Sequence, residues 1–246
     1  MKKLTGKTAL VTGGGRGIGA AIARTLAHEG AHVTITYANS EKRAQSLVDE
    51  IKGAGGKATA IHADNQQIEE IKDAVTHVVD RQGRLDILIN NAGVFHAAPI
   101  DQLSQKNYDD TMNINVRAVF LATQAAATVM PDGGRIITIG SNLAKRVPFP
   151  GMSLYSLSKA ALVGLTLGAA RDLGDRNITV NIVHPGPTDT EMNPADGDFA
   201  DNLRGLMAIK RYNSADEIAA MVSWLAGPDA STVTGAEFTI DGGTNI

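Results

Sequence analysis

Short apolar runs alternate with amphipathic stretches along nearly the whole chain, and that alternation admits few folds. Runs at Thr8–Thr12, His32–Tyr37, Lys57–His62, Leu85–Asn90, Arg135–Ile139, Ile178–Val183 and Glu237–Ile240 read as strands. Between them, Ile18–Glu29, Glu41–Lys52, Gln67–Val79, Asp109–Met130, Leu154–Leu173 and Ser214–Leu225 read as helices. Apolar strands need cover on both faces, and a parallel return needs a helix to carry the chain back. The pattern predicts an α/β protein: a single Rossmann-type, doubly wound domain, its seven-stranded parallel sheet flanked by helices on both faces. At 246 residues, with no linker or repeat, one domain over 1–246 accounts for the chain.

The connection after the first strand is Thr12-Gly13-Gly14-Gly15-Arg16-Gly17-Ile18-Gly19. Glycines let backbone turn sharply and approach a pyrophosphate, and the following helix presents free N–H groups to it. The G-x-G-x-x-G fingerprint is absent, because its last glycine would fall on Ile18; the spacing here is T-G-x-x-x-G-x-G. Taken alone, it could be merely a tight connection, a reading that its place directly after the first strand weakens. The second strand ends in Tyr37-Ala38-Asn39-Ser40, without the acid that would bind a ribose diol and repel a 2′-phosphate. Arg16 in the turn, with Lys42 and Arg43 beyond, favours NADPH/NADP+ over NADH, although Lys42 and Arg43 read equally as a solvated helix face. Asp64, beside Asn65 past the third strand, suits an adenine amino group or the cap of the next helix.

Tyr155 and Lys159 lie four apart near the start of the helix over Leu154–Leu173, whose apolar face reads as Leu157, Ala161, Leu165, Gly168 and Ala169. Residues so spaced project the same way. A cation beside a phenol lowers a pKa that starts near ~10, giving a proton donor suited to neutral pH. The same spacing also fits a surface tyrosine and a solvated lysine. A net charge of −3 offers no electrostatic case for nucleic acid or an anionic membrane, and no stretch approaches the ~18 apolar residues of a membrane span. The absence of cysteine excludes disulfides and suits a reducing compartment, so a cytoplasmic location is expected. Six histidines without ligand spacing point away from a metal.

Together the glycine turn, Asn90-Asn91-Ala92-Gly93, Asn115, Ser141, Tyr155, Lys159 and Pro185-Gly186 resemble the short-chain dehydrogenase/reductase family from Gly6 to Gly243. The resemblance implies hydride transfer between a nicotinamide and a carbonyl carbon, with Asn115, Ser141, Tyr155 and Lys159 catalytic. Tyr155 would protonate the oxygen, Ser141 would hold it, and Lys159 would lower the phenol's pKa and bond the nicotinamide ribose. Asn115, with Asn113 as its rival, would hold a water linking Lys159 to solvent. Cofactor contacts are implied for Gly13, Gly15, Arg16, Gly17, Ile18 and Gly19, and for Tyr37, Asn39, Ser40, Asp64 and Asn65. Asn90 to Gly93 would stabilise the sheet and, through Asn91, Ala92 and Gly93, line the adenine side; Pro185, Gly186, Thr188 and Thr190 would contact the carboxamide. The helix from Leu154 and the last strand imply a homotetramer with 222 symmetry, eased by the small Ala160, Gly164 and Gly168. His96 and His184, without a visible charge-relay partner, read as structural.

Ser141 and Tyr155 are fourteen positions apart, a spacing that resembles polyhydroxynaphthalene-type ketone reductases; many 3-oxoacyl-carrier-protein reductases have one fewer. Where the latter commonly carry a base, this chain has Asp132, which repels an acidic carrier protein, with Arg176 as a cation that could still attract it. Residues 190–212 resemble the family's variable lid. Met192, Phe199, Leu206 and Met207 are expected to cover an apolar substrate, and Phe95, Val147, Phe149 and Met152 to wall it. The leading expectation is an NADPH-dependent reductase of a small-molecule ketone. A carrier-protein reductase is one alternative. Another is a nucleotide-binding regulator, because Pro185–Thr190, Met207–Arg211 and Trp224–Pro228 resemble a bacterial branch containing a cyclic-di-GMP-binding biofilm dispersal protein. A serine hydrolase is disfavoured, since Ile139-Gly-Ser-Asn-Leu143 lacks the G-x-S-x-G elbow.

Overall fold

The computed structural model describes residues 2–246 and folds the seven expected strands into one parallel sheet. Across it run β3 (Lys57–His62), β2 (His32–Tyr37), β1 (Thr8–Val11), β4 (Ile87–Asn90), β5 (Arg135–Ile139), β6 (Thr179–Pro185) and β7 (Glu237–Ile240). Every residue of β1, β4, β5 and β6 is buried, so these strands read as unbroken apolar runs. Alternate residues point to opposite faces. Ala9, Val11, Ile87, Ile89, Ile137 and Ile139 enter one core, while Leu10, Leu88 and Ile136 enter the other.

The first core is closed by α1 (Gly17–His28), α2 (Glu41–Gly53) and α8 (Ala215–Ala226), which supply Leu26, Val48 and Val222. The second is closed by α3 (Ile68–Gln82), α5 (Ala118–Val129) and α6 (Ser153–Leu173), which supply Val78, Ala122 and Ala170. From β3 the chain crosses back to β4 on the far side of β1. That reversal leaves a crevice outside the carboxyl ends of β1 and β4, where ligands bind in open α/β sheets.

Three expectations change. The helix expected over Asp109–Met130 begins earlier, at α4 (Gln105–Met112), because Ser104 and Asn107 form a reciprocal capping box. It then widens into a π-helical turn, Asn113–Arg117, before continuing as α5. The buried face of α6 is Leu154, Ser158, Lys159, Leu162, Thr166 and Ala170, rather than the stripe through Leu157 and Gly168. Leu157 is 51% exposed, and Gly164 and Gly168 face open space. Within 190–212 a short helix, α7 (Ala200–Leu206), also forms where only loop punctuation was legible.

Asp86 ties the start of the sheet together. Its buried carboxylate accepts from the Thr8 N–H at 2.9 Å and pairs with Arg84 and Lys7, both about half exposed. Asp86→Ala leaves that N–H without its charged acceptor and should lower stability by about 2 kcal/mol, read from the urea midpoint at an unchanged slope.

Candidate active site

Six of the seven strand ends deliver residues singled out from the sequence to one edge of the sheet. Because parallel strands share a direction, the glycine turn, Ser40, Asp64, Gly93, Ser141 and Thr188 follow β1, β2, β3, β4, β5 and β6 respectively.

Bare backbone is sterically required in the glycine turn. Gly13 adopts φ +62°, and a Cβ there would lie 2.9 Å from Cα of Ala92. At Gly19 it would lie 2.4 Å from Nδ2 of Asn91, which donates to the Thr12 and Gly13 carbonyls at 2.9 and 3.1 Å. The Thr12 hydroxyl in turn accepts from the N–H groups of Asn91 and Ala92. Asn91 thus acts by fastening the turn to β4, with its side-chain amide already engaged. Gly17, at φ +50°, lies against Thr190, which the loop after β6 brings to the start of α1. No side chain caps α1 or α2, so their first N–H groups remain open, beside Arg16 and Ser40 respectively.

Arg16 and Arg43 are exposed and line a cavity of about 510 Å³ with Gly15, Gly17, Ser46 and Thr190. Among the described residues neither makes an ion pair, whereas Arg24 in the same wall is bound to Glu50. Two unpaired guanidiniums, an open helix start and a backbone cradle fit a dinucleotide with an additional phosphate. Asp64 accepts from the Gln66 N–H at 2.9 Å in a local turn and does not cap α3, whose N-cap is Gln67. Among the described residues no group of three or more acidic or histidine side chains is arranged to hold a metal ion.

Ser141, Tyr155, Lys159 and Asn115 converge. Tyr155 lies under Phe95, ring centroids 4.9 Å apart and edge to face. Lys159 Nζ stands 5.7 Å from the Tyr155 ring centroid and donates to the Ile139 carbonyl at 2.9 Å. Burial pushes the phenol up to about 12, opposed by a hydrogen bond from Ser141, and burial pulls Lys159 down to about 8. The expected lowering of the tyrosine's pKa is therefore not found; burial raises it instead. Desolvation of the phenolate outweighs the Ser141 hydrogen bond that opposes it.

Asn115 lies in the π-helical turn because its side chain bonds elsewhere. It accepts from the Val94 N–H at 2.9 Å, and donates to the Val94 carbonyl at 3.0 Å and the Ser158 hydroxyl at 3.1 Å. It joins the loop after β4 to α6, instead of bonding its own helix. Those three bonds use both Nδ2 hydrogens and leave one Oδ1 lone pair and the backbone for a water relay. Gly93 separates it from Lys159: a Cβ at Gly93 would meet Asn115 Oδ1 at 3.3 Å and Lys159 Nζ at 3.7 Å.

His184, read as structural, does have partners. Its ring is fully buried, with Nε2 3.1 Å from Glu237 and Nδ1 3.2 Å from the Ser141 nitrogen. The imidazole meets Ser141 backbone rather than its hydroxyl, so a hydrolase triad is absent. Sequence gave no signal for Glu237, which reaches the site through the pairing of β7 with β6.

At the mouth, Val147, Met192 and Phe199 are exposed, and Phe149 packs edge to face on Phe199 at 6.4 Å. Met207 differs from the expectation: it is buried, and a Cβ at Gly242 would lie 2.6 Å from its Cε, so it anchors the segment rather than covering a ligand.

An open parallel sheet with a glycine cradle at its switch point and a Ser–Tyr–Lys cluster on the same edge defines a nucleotide-dependent oxidoreductase. The chain belongs to the short-chain dehydrogenase/reductase family; residues 13–245 match the family model described as enoyl-(acyl carrier protein) reductase. It is 48% identical, over 98% of both chains, to the cyclic-di-GMP-binding biofilm dispersal mediator protein of Escherichia coli K12. A short-chain dehydrogenase from Burkholderia cenocepacia J2315, solved in complex with NADP, is 55% identical at TM-score 0.98, covering 99% of this chain and 100% of its own. A dehydrogenase/reductase from Sinorhizobium meliloti 1021 is 58% identical at the same TM-score, covering 99% and 97%.

If burial governs the Tyr155–Lys159 pair, NMR titration of the Lys159 ammonium in the unliganded protein should give a midpoint near 8. A midpoint at or above the ordinary 10.5 would show the ammonium to be solvated.

Proposed function

We propose that the protein is an NADPH-dependent carbonyl reductase converting a small-molecule ketone to a secondary alcohol. The observation that carries this reading is the convergence of Ser141, Tyr155 and Lys159 beside the glycine cradle. NADPH, when bound, supplies the hydride. The turn from Gly13 to Gly19 would hold the pyrophosphate, and Arg16 with Ser40 a 2′-phosphate; an NADP complex of a 55% identical relative supports this. Lys159 would also bond the nicotinamide ribose, and Thr188 and Thr190 the carboxamide.

Ser141 holds the substrate oxygen, and Tyr155 transfers its proton to that oxygen as negative charge develops there. A phenol held near 12 stays protonated until then. Lys159, with a pKa near 8, is an ammonium at neutral pH, and its charge stabilises the phenolate left after transfer. The ammonium thus acts on the product of proton transfer more than on the resting phenol.

Phe95, Phe149 and Phe199 make the mouth aromatic, which fits a flat or aryl ketone under a lid formed by residues 190–212. The carrier-protein alternative is less well supported. Arg176 pairs with Asp132 at 3.4 Å and donates to the Ala127 and Met130 carbonyls, so it is not free for an acidic partner. Exposed Leu157 and Leu167, with open space at Gly164 and Gly168, support burial of this helix face in a homotetramer. A second reading, cyclic-di-GMP binding, is favoured by the 48% identity to the Escherichia coli mediator. Titration with that dinucleotide beside NADPH separates the two: tight binding without turnover of any ketone would favour the regulator.

Two substitutions test the leading reading. Tyr155→Phe should reduce turnover on an aryl-ketone panel by at least ~10²-fold with NADPH binding retained; wild-type rates would refute the role. Arg16→Ala should raise the KM for NADPH about ten- to a hundredfold while leaving that for NADH nearly unchanged.

A further inference from the structure

We infer that His184 and Glu237 are positioning residues for Ser141, forming with Lys145 a closed polar circuit that sets the backbone from which the Ser141 hydroxyl reaches Tyr155. The circuit leaves β5 at Ser141, whose N–H meets His184 Nδ1 at 3.2 Å. It passes through Nε2 to Glu237 Oε2 at 3.1 Å, and from the same oxygen to Lys145 Nζ at 3.2 Å. Lys145 is four residues beyond Ser141, so both ends of this segment are fastened to the β6–β7 side of the sheet.

The ring's chemistry assigns the bonds. Burial lowers the pKa of His184 and keeps the imidazole neutral, with one ring hydrogen. A carboxylate only accepts, so that hydrogen belongs on Nε2 facing Glu237. Nδ1 then carries a lone pair and accepts the Ser141 N–H. Its 2.9 Å approach to the Ser141 carbonyl is a hydrogen bond only when Nδ1 itself carries a hydrogen. Glu237 therefore selects the tautomer that holds Ser141 by its N–H, the use of an outer carboxylate known from other histidine sites.

Steric evidence agrees. Gly140 has ordinary φ, yet a Cβ there would lie 2.5 Å from His184 Nδ1 and 2.9 Å from Cε1. The glycine before Ser141 makes room for the ring. Further bonds stiffen the same segment: the Ser141 hydroxyl accepts from the Leu143 N–H at 3.2 Å, and the Leu143 carbonyl accepts from Ser156 at 2.6 Å, beside Tyr155. His184 touches none of the reacting positions, so its effect must travel through Ser141.

The test compares full-length His184→Leu, which removes both ring nitrogens, with His184→Asn, whose amide oxygen can replace Nδ1 as acceptor. Glu237→Gln serves as a milder variant should His184→Leu fail to fold. Hydrogen exchange of segment 140–145 should accelerate at least ~10-fold in His184→Leu and remain within about threefold of wild type in His184→Asn. Should Glu237→Gln stand in, the segment should accelerate severalfold.

The kinetic arm rests on the ketone-reductase reading. There, His184→Leu should lower kcat about tenfold with the KM for NADPH unchanged. The same substitution in a Ser141→Ala background should cost less than about twofold, because the group it positions is gone. Unchanged exchange in the segment, or an equal cost in both backgrounds, would overturn the inference. If no ketone is turned over by wild type, the reductase reading fails and the exchange measurement alone decides this one.

Discussion

Seven strands running in one direction place all their carboxyl ends on a single edge, and every other feature of the site depends on that. The helices that return the chain start on the same edge, so open N–H groups at the heads of α1 and α2 face the turn that follows β1. Burial on both faces makes this arrangement rigid. The strands that bear the turn, Ser141 and the Pro185 corner have no exposed residue along their length. Side chains separated by up to about two hundred residues are thereby held at fixed positions by backbone that cannot yield locally.

The same burial sets the electrostatics. Tyr155 and Lys159 sit where charge is expensive, and their pKa values move apart, the phenol up and the ammonium down. Such a pair resists charge separation at rest and accommodates it only when a new negative oxygen draws the proton away. Asn115, Ser158 and the Val94 backbone surround it with satisfied hydrogen bonds, while His184 and Glu237 secure the serine side. The π-helical turn at Asn115 belongs to this economy: a widened helix lets its amide reach a neighbouring loop.

Much was legible in the linear chain because periodicity and glycine spacing are local signals. The seven strands, the position of the turn, and the Tyr155–Lys159 pair all depend on neighbours within a few residues. The α6 stripe misled for a physical reason. Small and apolar residues at helical spacing mark a packable face, but not what it packs against, and here Leu157 and Gly168 face outward while Ser158 and Lys159 face in. Met207 was likewise indistinguishable from Met192, although one is buried and the other 53% exposed.

Sequence alone determined the class of fold, the edge at which a nucleotide would lie, and the residue types available for proton transfer, since each follows from short-range pattern and side-chain chemistry. Tertiary structure decided the rest. It showed that the Asn91 side chain fastens the turn, that Lys159 stands over the Tyr155 ring and bonds the Ile139 carbonyl, and that His184 has a carboxylate behind it. Those facts depend on which strands pair and how deeply each group is buried, and such long-range contacts leave no periodic trace in the chain.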